Sequence, residues 1–200
     1  MSSRSGASAR RATAAAPREV RIIGGQWRRT RLPVPDKPGL RPTPDRVRET
    51  LFNWLGQDLG GWRCVDAFAG TGALGLEAAS RGAADVLLIE QDSAQAAQLR
   101  QTAQRLQADT VRVLRGDGVA ALRAQAPGSA DLVLLDPPFD AAALFAPALT
   151  AAAAAVRVGG WVYLEAPAQA DAGELQALHL ELHRHLKAGA VQAHLLRRSA

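Results

Sequence analysis

From residue 62 onwards, β-prone apolar runs alternate with alanine-rich stretches, and this alternation restricts the fold more than any other feature of the chain. Each stretch between two of the first five runs is long enough for a helix, so the pattern predicts a parallel sheet with helices on both faces. Two final runs predict a closing hairpin. The predicted strands are Arg63–Ala69, Asp85–Glu90, Thr110–Arg115, Asp131–Asp136, Gly160–Glu165, Leu178–Leu186 and Ala190–Arg197, with a short helix at Asp171–Ala177.

Length and composition fit one such domain with a short appendage. The chain has 200 residues, of which 48% are hydrophobic, enough for a core of ordinary size but not for two full domains. No apolar run reaches the roughly 18 residues of a membrane span. The single cysteine, Cys64, lies in an apolar run, which suits a core residue of a protein from a reducing compartment. We therefore expect a cytoplasmic protein that makes no membrane contact.

The first 60 residues divide into a tail and an extension that precedes the α/β domain of residues 61–200. Residues 1–18 are small, basic and free of acids, which predicts a disordered tail, either a loose end or a segment that gains order on RNA. Residues 19–60 predict a hairpin and a helix. The hairpin strands would be Glu19–Ile23 and Gln26–Leu32, and the helix would have Thr43 as N-cap, Pro44 as first residue, and an apolar face of Val47, Leu51, Trp54 and Leu55.

Basic charge is concentrated in this N-terminal quarter. Residues 1–50 hold twelve Lys and Arg against four Asp and Glu, whereas the rest of the chain holds twelve against fifteen. Such segregation favours a segment that faces a polyanion over a merely solubilising tail, because arginines neutralise phosphates. Arg29 and Arg31 would share one side of the second hairpin strand. The expected RNA-binding residues are Arg28, Arg29, Arg31, Arg41 and Arg46.

A glycine-rich motif follows the first strand of the α/β domain. Gly70, Gly72 and Gly75 fit the G-x-G-x-x-G pattern of dinucleotide-binding folds, and Glu90 ends the next strand, where a carboxylate can bind ribose hydroxyls. These residues alone do not separate a nicotinamide cofactor from S-adenosylmethionine. Asp66 favours S-adenosylmethionine, because a carboxylate near the strand end suits an ammonium group. Its alternative role is to organise the loop.

A second motif, Asp136-Pro137-Pro138-Phe139, ends the fourth strand of the domain. In the doubly wound order this strand lies beside the first, so both motifs should share one crevice. Asp136 and the Pro137 carbonyl could accept the two N–H bonds of an exocyclic base amine, Pro138 would fix the backbone, and Phe139 could stack on the base. A Pro-Pro turn with Phe139 in the core is the structural alternative.

These motifs, together with Arg21-Ile22-Ile23-Gly24-Gly25 and the segment from Leu40 to Leu55, resemble those of the bacterial 16S ribosomal RNA guanine-N2 methyltransferases of the small-subunit type. The resemblance runs from about residue 19 to the C-terminus. It implies a Rossmann-like, class I S-adenosylmethionine-dependent methyltransferase with a seven-stranded, mostly parallel sheet, an antiparallel C-terminal hairpin and a small N-terminal hairpin extension. It also implies methyl transfer to a guanine N2 of 16S rRNA within a partly assembled small subunit. We expect the protein to be a monomer.

The resemblance also implies roles for individual positions. Asp136 to Phe139 would form the catalytic pocket, Glu90 would bind the ribose, and Asp117 the adenine. The expected cofactor-binding set is Asp66, Ala69, Gly70, Thr71, Gly72, Glu90, Asp117 and Gly118.

Several alternatives stay open. Asp117 also fits ordinary turn chemistry between two glycines, and Glu77 is interpreted as a solvated helix residue without a role. His179, Glu181, His183 and His185 alternate along a predicted strand, but an exposed polar face explains them better than a metal, and we expect no metal site. The competing functions are a non-catalytic ribosome assembly factor and an amino-methyltransferase that acts on DNA or protein.

Overall fold

A computed structural model describes residues 19–34, 43–138, 141–189 and 191–200. Arg41 and Phe139, two of the expected site residues, and the tail of residues 1–18 lie outside these ranges. The chain order of the elements is β1 (Glu19–Arg21), β2 (Arg31–Pro33), α1 (Asp45–Leu55), β3 (Arg63–Asp66), α2 (Ala73–Ser80), β4 (Asp85–Glu90), α3 (Ser93–Arg105), β5 (Val111–Arg115), α4 (Gly118–Arg123), β6 (Ala130–Leu135), α5 (Phe145–Ala155), β7 (Val156–Ala166), α6 (Ala172–Ala177), β8 (Leu180–Ala188) and β9 (Val191–Arg198), with a 3-10 turn at Ala142–Leu144.

Seven strands form one sheet in the order β5-β4-β3-β6-β7-β9-β8. The five strands from β3 to β7 are parallel, and β9 runs antiparallel to both β7 and β8. This confirms the predicted parallel sheet and the closing hairpin. Winding reverses between β3 and β6, the place where open α/β sheets bind their ligands.

Two hydrophobic clusters cover the two faces of the sheet. One contains α2 and part of α3 together with residues of the N-terminal extension, such as Ile22, Leu32 and Leu51. The other contains α4 and α5, including Leu122 and Leu149, and reaches Leu175 of α6. Helices on both faces are therefore confirmed. The extension shares its core with the sheet, so residues 19–34 and α1 are packed onto the α/β fold rather than standing apart from it.

The N-terminal hairpin is present, but its strands are shorter than predicted. Val20 pairs with Leu32 in antiparallel strands of three residues each, and the segment from Gln26 to Arg29 forms a turn with Arg29 at φ 71°. The strand predicted over Gln26–Leu32 is wrong because the Gln26 amide donates to the Ser80 carbonyl of α2 at 2.8 Å and the Trp27 amide to the Ser80 hydroxyl at 3.0 Å. These donors hold the loop on α2 instead of pairing in a ladder.

Helix α1 differs from the prediction at its start and on its buried face. Pro44 occupies the N-cap position and makes no side-chain cap, so the prediction of Thr43 as N-cap is wrong. The buried residues of α1 are Val47, Arg48, Leu51, Phe52 and Leu55, while Trp54 is only half-buried. Gly56, at φ 96°, ends the helix.

The C-terminal strands do not present the histidines on one face. His179 precedes β8 with φ 52°, and the β8–β9 register shifts between Leu182 and Arg184, so the alternation is broken at His183. The ring of His183 lies against Trp161, and His185 lies against His194. Among the described residues, no three His, Cys, Asp or Glu side chains are grouped to hold a metal ion. Nor does this part of the chain contain a helix long and apolar enough to cross a membrane.

Candidate active site

The ends of β3 and β6 meet as the sequence predicts. Asp66 of β3 is opposite Leu134 of β6, and the Ala67 amide donates to the Leu134 carbonyl at 3.1 Å. The glycine loop that follows β3 and the Asp136-Pro137 corner that follows β6 therefore lie side by side at the carboxyl edge of the sheet.

The glycine loop turns sharply from β3 into α2. Gly72 has φ 78° and directly precedes the helix, a conformation that side chains other than glycine rarely adopt. Gly75 permits close packing, since a Cβ there would lie 2.2 Å from Leu88 Cδ2. The Gly70 amide donates to Glu90 Oε2 at 2.9 Å, which ties the loop to the end of β4. Ala69 is buried, and Thr71 is half-buried beside it.

Asp66 is buried at the end of β3, with one oxygen bound and one left over. Its Oδ2 accepts the Gly75 amide at 2.9 Å, whereas its Oδ1 has no hydrogen-bond partner among the described residues. Burial raises the pKa of this carboxyl to about 7, the Gly75 amide and, more weakly, the nearby Phe68 amide oppose the rise, and the negative charges of Glu90 and Glu165 add to it. A buried carboxyl with an unused acceptor is suited to a ligand that brings a positive donor.

Glu90 and Asp117 end or follow the next two strands. Glu90 accepts the Gly70 amide with one oxygen and the Asp92 amide with the other, at 2.9 and 2.8 Å. Asp117 is exposed and is the N-cap of α4, where its Oδ1 accepts the Ala120 amide at 2.7 Å. The cap accounts for one of its two oxygens. Gly118 is buried against the end of β3. A Cβ there would lie 2.2 Å from the Ala67 carbonyl oxygen, so the position requires glycine.

Asp136 lies half-buried beside these groups. Its Oδ2 accepts the Thr43 hydroxyl at 3.2 Å. Desolvation raises the pKa of Asp136 well above its ordinary value, the charges of Glu165 and Asp66 add to this, and the Thr43 bond opposes it. Pro137 is buried and Pro138 is exposed, so the corner has an inner and an outer side.

Glu165, at the end of β7, is a site residue that the sequence interpretation missed. Leu134 is opposite Tyr163, and Leu135 is opposite Leu164. The next residue on each strand is Asp136 or Glu165, so these two acids lie side by side. Glu165 is 2% exposed and accepts the Tyr163 hydroxyl at 2.9 Å. The missed signal was positional, because Glu165 ends an apolar strand just as Glu90 does.

Glu77 of α2 anchors the N-terminal extension, so its interpretation as a solvated residue is wrong. The side chain is fully buried and accepts the Ile23 and Gly24 amides, both at 2.7 Å. It also binds Arg81 Nε at 2.9 Å and the fully buried Arg48 Nη1 at 3.4 Å. Every residue of α2 is buried, so the helix has no solvated face on which Glu77 could lie.

The described candidate RNA-binding arginines lie at two ends of the extension. Arg46 is exposed in the first turn of α1, three residues after Thr43, which contacts Asp136. Arg28 and Arg29 are exposed on the loop that packs on Ser80, the last residue of α2. Helix α2 is about 12 Å long and starts at the glycine loop, so these two arginines lie at its far end. Arg31 is exposed and pairs with Glu19 at 2.7 Å. Arg29 and Arg31 do not share a strand.

Comparison with known proteins identifies relatives of the whole fold. Residues 20–197 match the family model described as Conserved hypothetical protein 95. A solved putative methyltransferase yhhF from Escherichia coli is 39% identical, with a TM-score of 0.77 over 91% of this chain and 99% of that one. A putative methylase from Haemophilus influenzae is 30% identical, with a TM-score of 0.74 over the same shares of the two chains.

Curated relatives match over a shorter segment. Ribosomal RNA small subunit methyltransferase D of Escherichia coli K12 is 54% identical over 121 residues, which are 60% of this chain and 61% of the relative. The protein of the same name from Haemophilus influenzae is 46% identical over 60% of this chain and 64% of its own length. The matched segments thus span somewhat less than two thirds of these relatives. The chain belongs to the Conserved hypothetical protein 95 family, the family of the ribosomal RNA small subunit methyltransferase D proteins, and has its Rossmann-like methyltransferase fold.

Proposed function

We propose that this protein transfers a methyl group from S-adenosylmethionine to the exocyclic N2 amine of a guanine in 16S rRNA, acting on a small ribosomal subunit or its assembly intermediate. The observation that carries the proposal is the meeting of two strand ends, where the glycine loop and Asp66 adjoin Asp136 and Pro137. The names of the curated relatives support rRNA as the substrate and the small subunit as its context.

The residues around the glycine loop fit S-adenosylmethionine. Asp66 Oδ1 is a buried acceptor that finds no hydrogen-bond partner among the described residues, and an ammonium donor would satisfy it. Glu90 would accept from the ribose, and the start of α4 at Asp117 and Gly118 would contact the adenine, while Ala69, Gly70, Thr71 and Gly72 let the backbone come close to the ligand. When bound, S-adenosylmethionine supplies a methyl group on a positively charged sulfur, which needs no further activation.

Asp136 and Pro137 would orient the acceptor amine. The nitrogen lone pair of an exocyclic amine is delocalised into the ring, so the amine is a poor nucleophile. Two acceptors that bind both of its N–H groups would favour a more tetrahedral nitrogen and direct its lone pair at the methyl group. The Asp136 carboxyl and the Pro137 carbonyl are acceptors that could bind these N–H groups. Pro138 stiffens the corner, and Phe139 would stack on the base. Most of the rate would come from this positioning, which can contribute several kcal/mol.

The extension of residues 19–60 would bind RNA next to the catalytic domain of residues 61–200. Arg46 lies at the catalytic edge and would bind phosphate near the target base, whereas Arg28, Arg29 and Arg31 would contact more distant phosphates. Arg41 would join them from the segment before α1.

The direct test is nucleoside mass spectrometry of 16S rRNA after incubation of small-subunit particles with the purified protein and S-adenosylmethionine. We expect N2-methylguanine with the wild-type protein, and a loss of about 100-fold or more with Asp136→Ala, at unchanged S-adenosylmethionine affinity. The exposed Asp109→Ala is a matched control. RNA binding without any methylated nucleoside would identify an assembly factor instead, and a product on DNA or protein would reassign the substrate.

A further inference from the structure

Resting on the function proposed above, we propose that Thr43 and Glu165 are positioning residues that fix the Asp136 carboxyl for the acceptor amine. Thr43 comes from the N-terminal extension and Glu165 from the end of β7, so neither belongs to the two motifs that define the site. Both side chains are buried and both adjoin Asp136.

The Thr43 hydroxyl holds Asp136 from the side of the extension, where it donates to Oδ2 at 3.2 Å. Glu165 stands near the end of the neighbouring strand, and its negative charge is close enough to raise the pKa of Asp136. A hydroxyl has a single hydrogen to donate, so Thr43 fixes one oxygen of Asp136 and leaves the other for the amine.

Other contacts keep Glu165 and Thr43 in place. Tyr163 donates its hydroxyl to Glu165 at 2.9 Å, and Arg48 donates Nε to the Thr43 carbonyl at 3.3 Å. Arg48 is also bound to Glu77 and to the Arg21 carbonyl, so the position of Thr43 depends on the docked extension. The orientation of Asp136 is thereby coupled to the same segment that would bind RNA.

The groups that face Asp136 shift its pKa in opposite directions, so two substitutions should have opposite effects on that pKa. These groups are Thr43 from the extension, Asp66 from β3, and Tyr163 and Glu165 from β7, while Arg48 acts on Tyr163 and Glu165 beside them. The Thr43 hydrogen bond lowers the pKa of Asp136, and the Glu165 charge raises it. Thr43→Val should therefore raise the pKa of Asp136, whereas Glu165→Gln should lower it.

The experiment compares methyl transfer by the full-length protein across pH. We expect Thr43→Val to lower kcat by about 10-fold to 100-fold, with S-adenosylmethionine affinity within about twofold, and Thr43→Ser to restore most of the rate. The acidic limb of the pH–rate profile should move to higher pH in Thr43→Val and to lower pH in Glu165→Gln. Thr150→Val, on the exposed side of α5, and Glu174→Gln, on the exposed side of α6, are matched controls.

A second readout does not require activity. Carboxyl-carbon NMR titration of Asp136 in the free protein should show the same opposite shifts of its pKa, and thermal unfolding identifies a variant that does not fold. Unchanged kcat and profiles in Thr43→Val and Glu165→Gln, or shifts in the same direction, would overturn this inference while leaving an active wild type. A wild type that forms no methylated guanine would instead overturn the proposed function.

Discussion

Two groups of buried acids lie in this molecule, and their surroundings differ. Glu77 is enclosed by Arg48, Arg81 and two backbone amides. At the strand ends, Asp66, Asp136 and Glu165 adjoin one another, and none forms an ion pair with a described Arg or Lys. A buried carboxylate that is fully paired holds the structure together. Acids that lack such partners cost stability, and their placement is explained by a ligand.

Two of the strand-end acids also have raised pKa values. Burial raises the pKa of Asp66 to about 7 and that of Asp136 well above its ordinary value, since neighbouring acids add to the desolvation. The same residue types are thus enclosed by counter-charges in one place and, among the described residues, left without an ion-pair partner in the other.

The largest expected effect is the loss of the Glu77 anchor. Glu77→Gln leaves the buried Arg48 and Arg81 without their counter-charge, so the free energy of unfolding should fall by about 3–5 kcal/mol. Urea denaturation measures this, with the exposed Glu174→Gln as control. A loss below about 1 kcal/mol would show that the extension is held chiefly by its apolar contacts.

Removal of the charge at Asp66 should raise the free energy of unfolding, whereas removal of the charge at Glu77 lowers it. A carboxyl whose pKa is raised on folding contributes stability that is present below its unfolded pKa, near 4, and is lost as pH rises through about 7. Asp66→Asn keeps an acceptor for the Gly75 amide and cannot ionise. Relative to the wild type it should gain about 2 kcal/mol between pH 5 and pH 8. A constant difference across that range in thermal or urea unfolding would mean that Asp66 is charged without penalty.

The smallest effects concern the arginines outside both acid groups. Arg46→Gln, next to the catalytic edge, should lower kcat/KM for methylation, while Arg28→Gln and Arg29→Gln should weaken RNA binding by a few-fold each. Every substitution should reduce the slope of log affinity against log salt by about one. Arg123→Gln, on α4, is the control. Equal losses of kcat/KM at all three positions would place the target base away from Asp136.

The sheet and the proximity of its strand ends could be predicted from the sequence, because apolar runs that alternate with helical stretches are compatible with few topologies. Sequence reasoning could also place Asp66, Glu90 and Asp136 at one edge. It could not reach the role of Glu77, because only Arg81 is a local i,i+4 partner, whereas two amides come from a loop more than fifty residues earlier and Arg48 comes from α1. Glu165 was within reach, since it ends an apolar strand in the way that Glu90 does.

The N-terminal extension shows why local patterns fall short. The run from Gln26 to Leu32 is β-prone, yet Ser80 takes two of its amides and bends the chain. Thr43 has the residue type of an N-cap, but its hydroxyl is bound to Asp136 instead. In both cases a tertiary partner replaces the local one, and no property of the segment itself indicates that partner.

We infer that the strand-end acids are arranged for a ligand, and calorimetric titration of the purified protein with S-adenosylmethionine is the sharpest test of this arrangement. One molecule should bind per chain, and Asp66→Asn should weaken the affinity by about tenfold or more through loss of the charged acceptor, while Glu174→Gln leaves it unchanged. Absence of binding to the wild type, or equal affinity in Asp66→Asn, would contradict the claim.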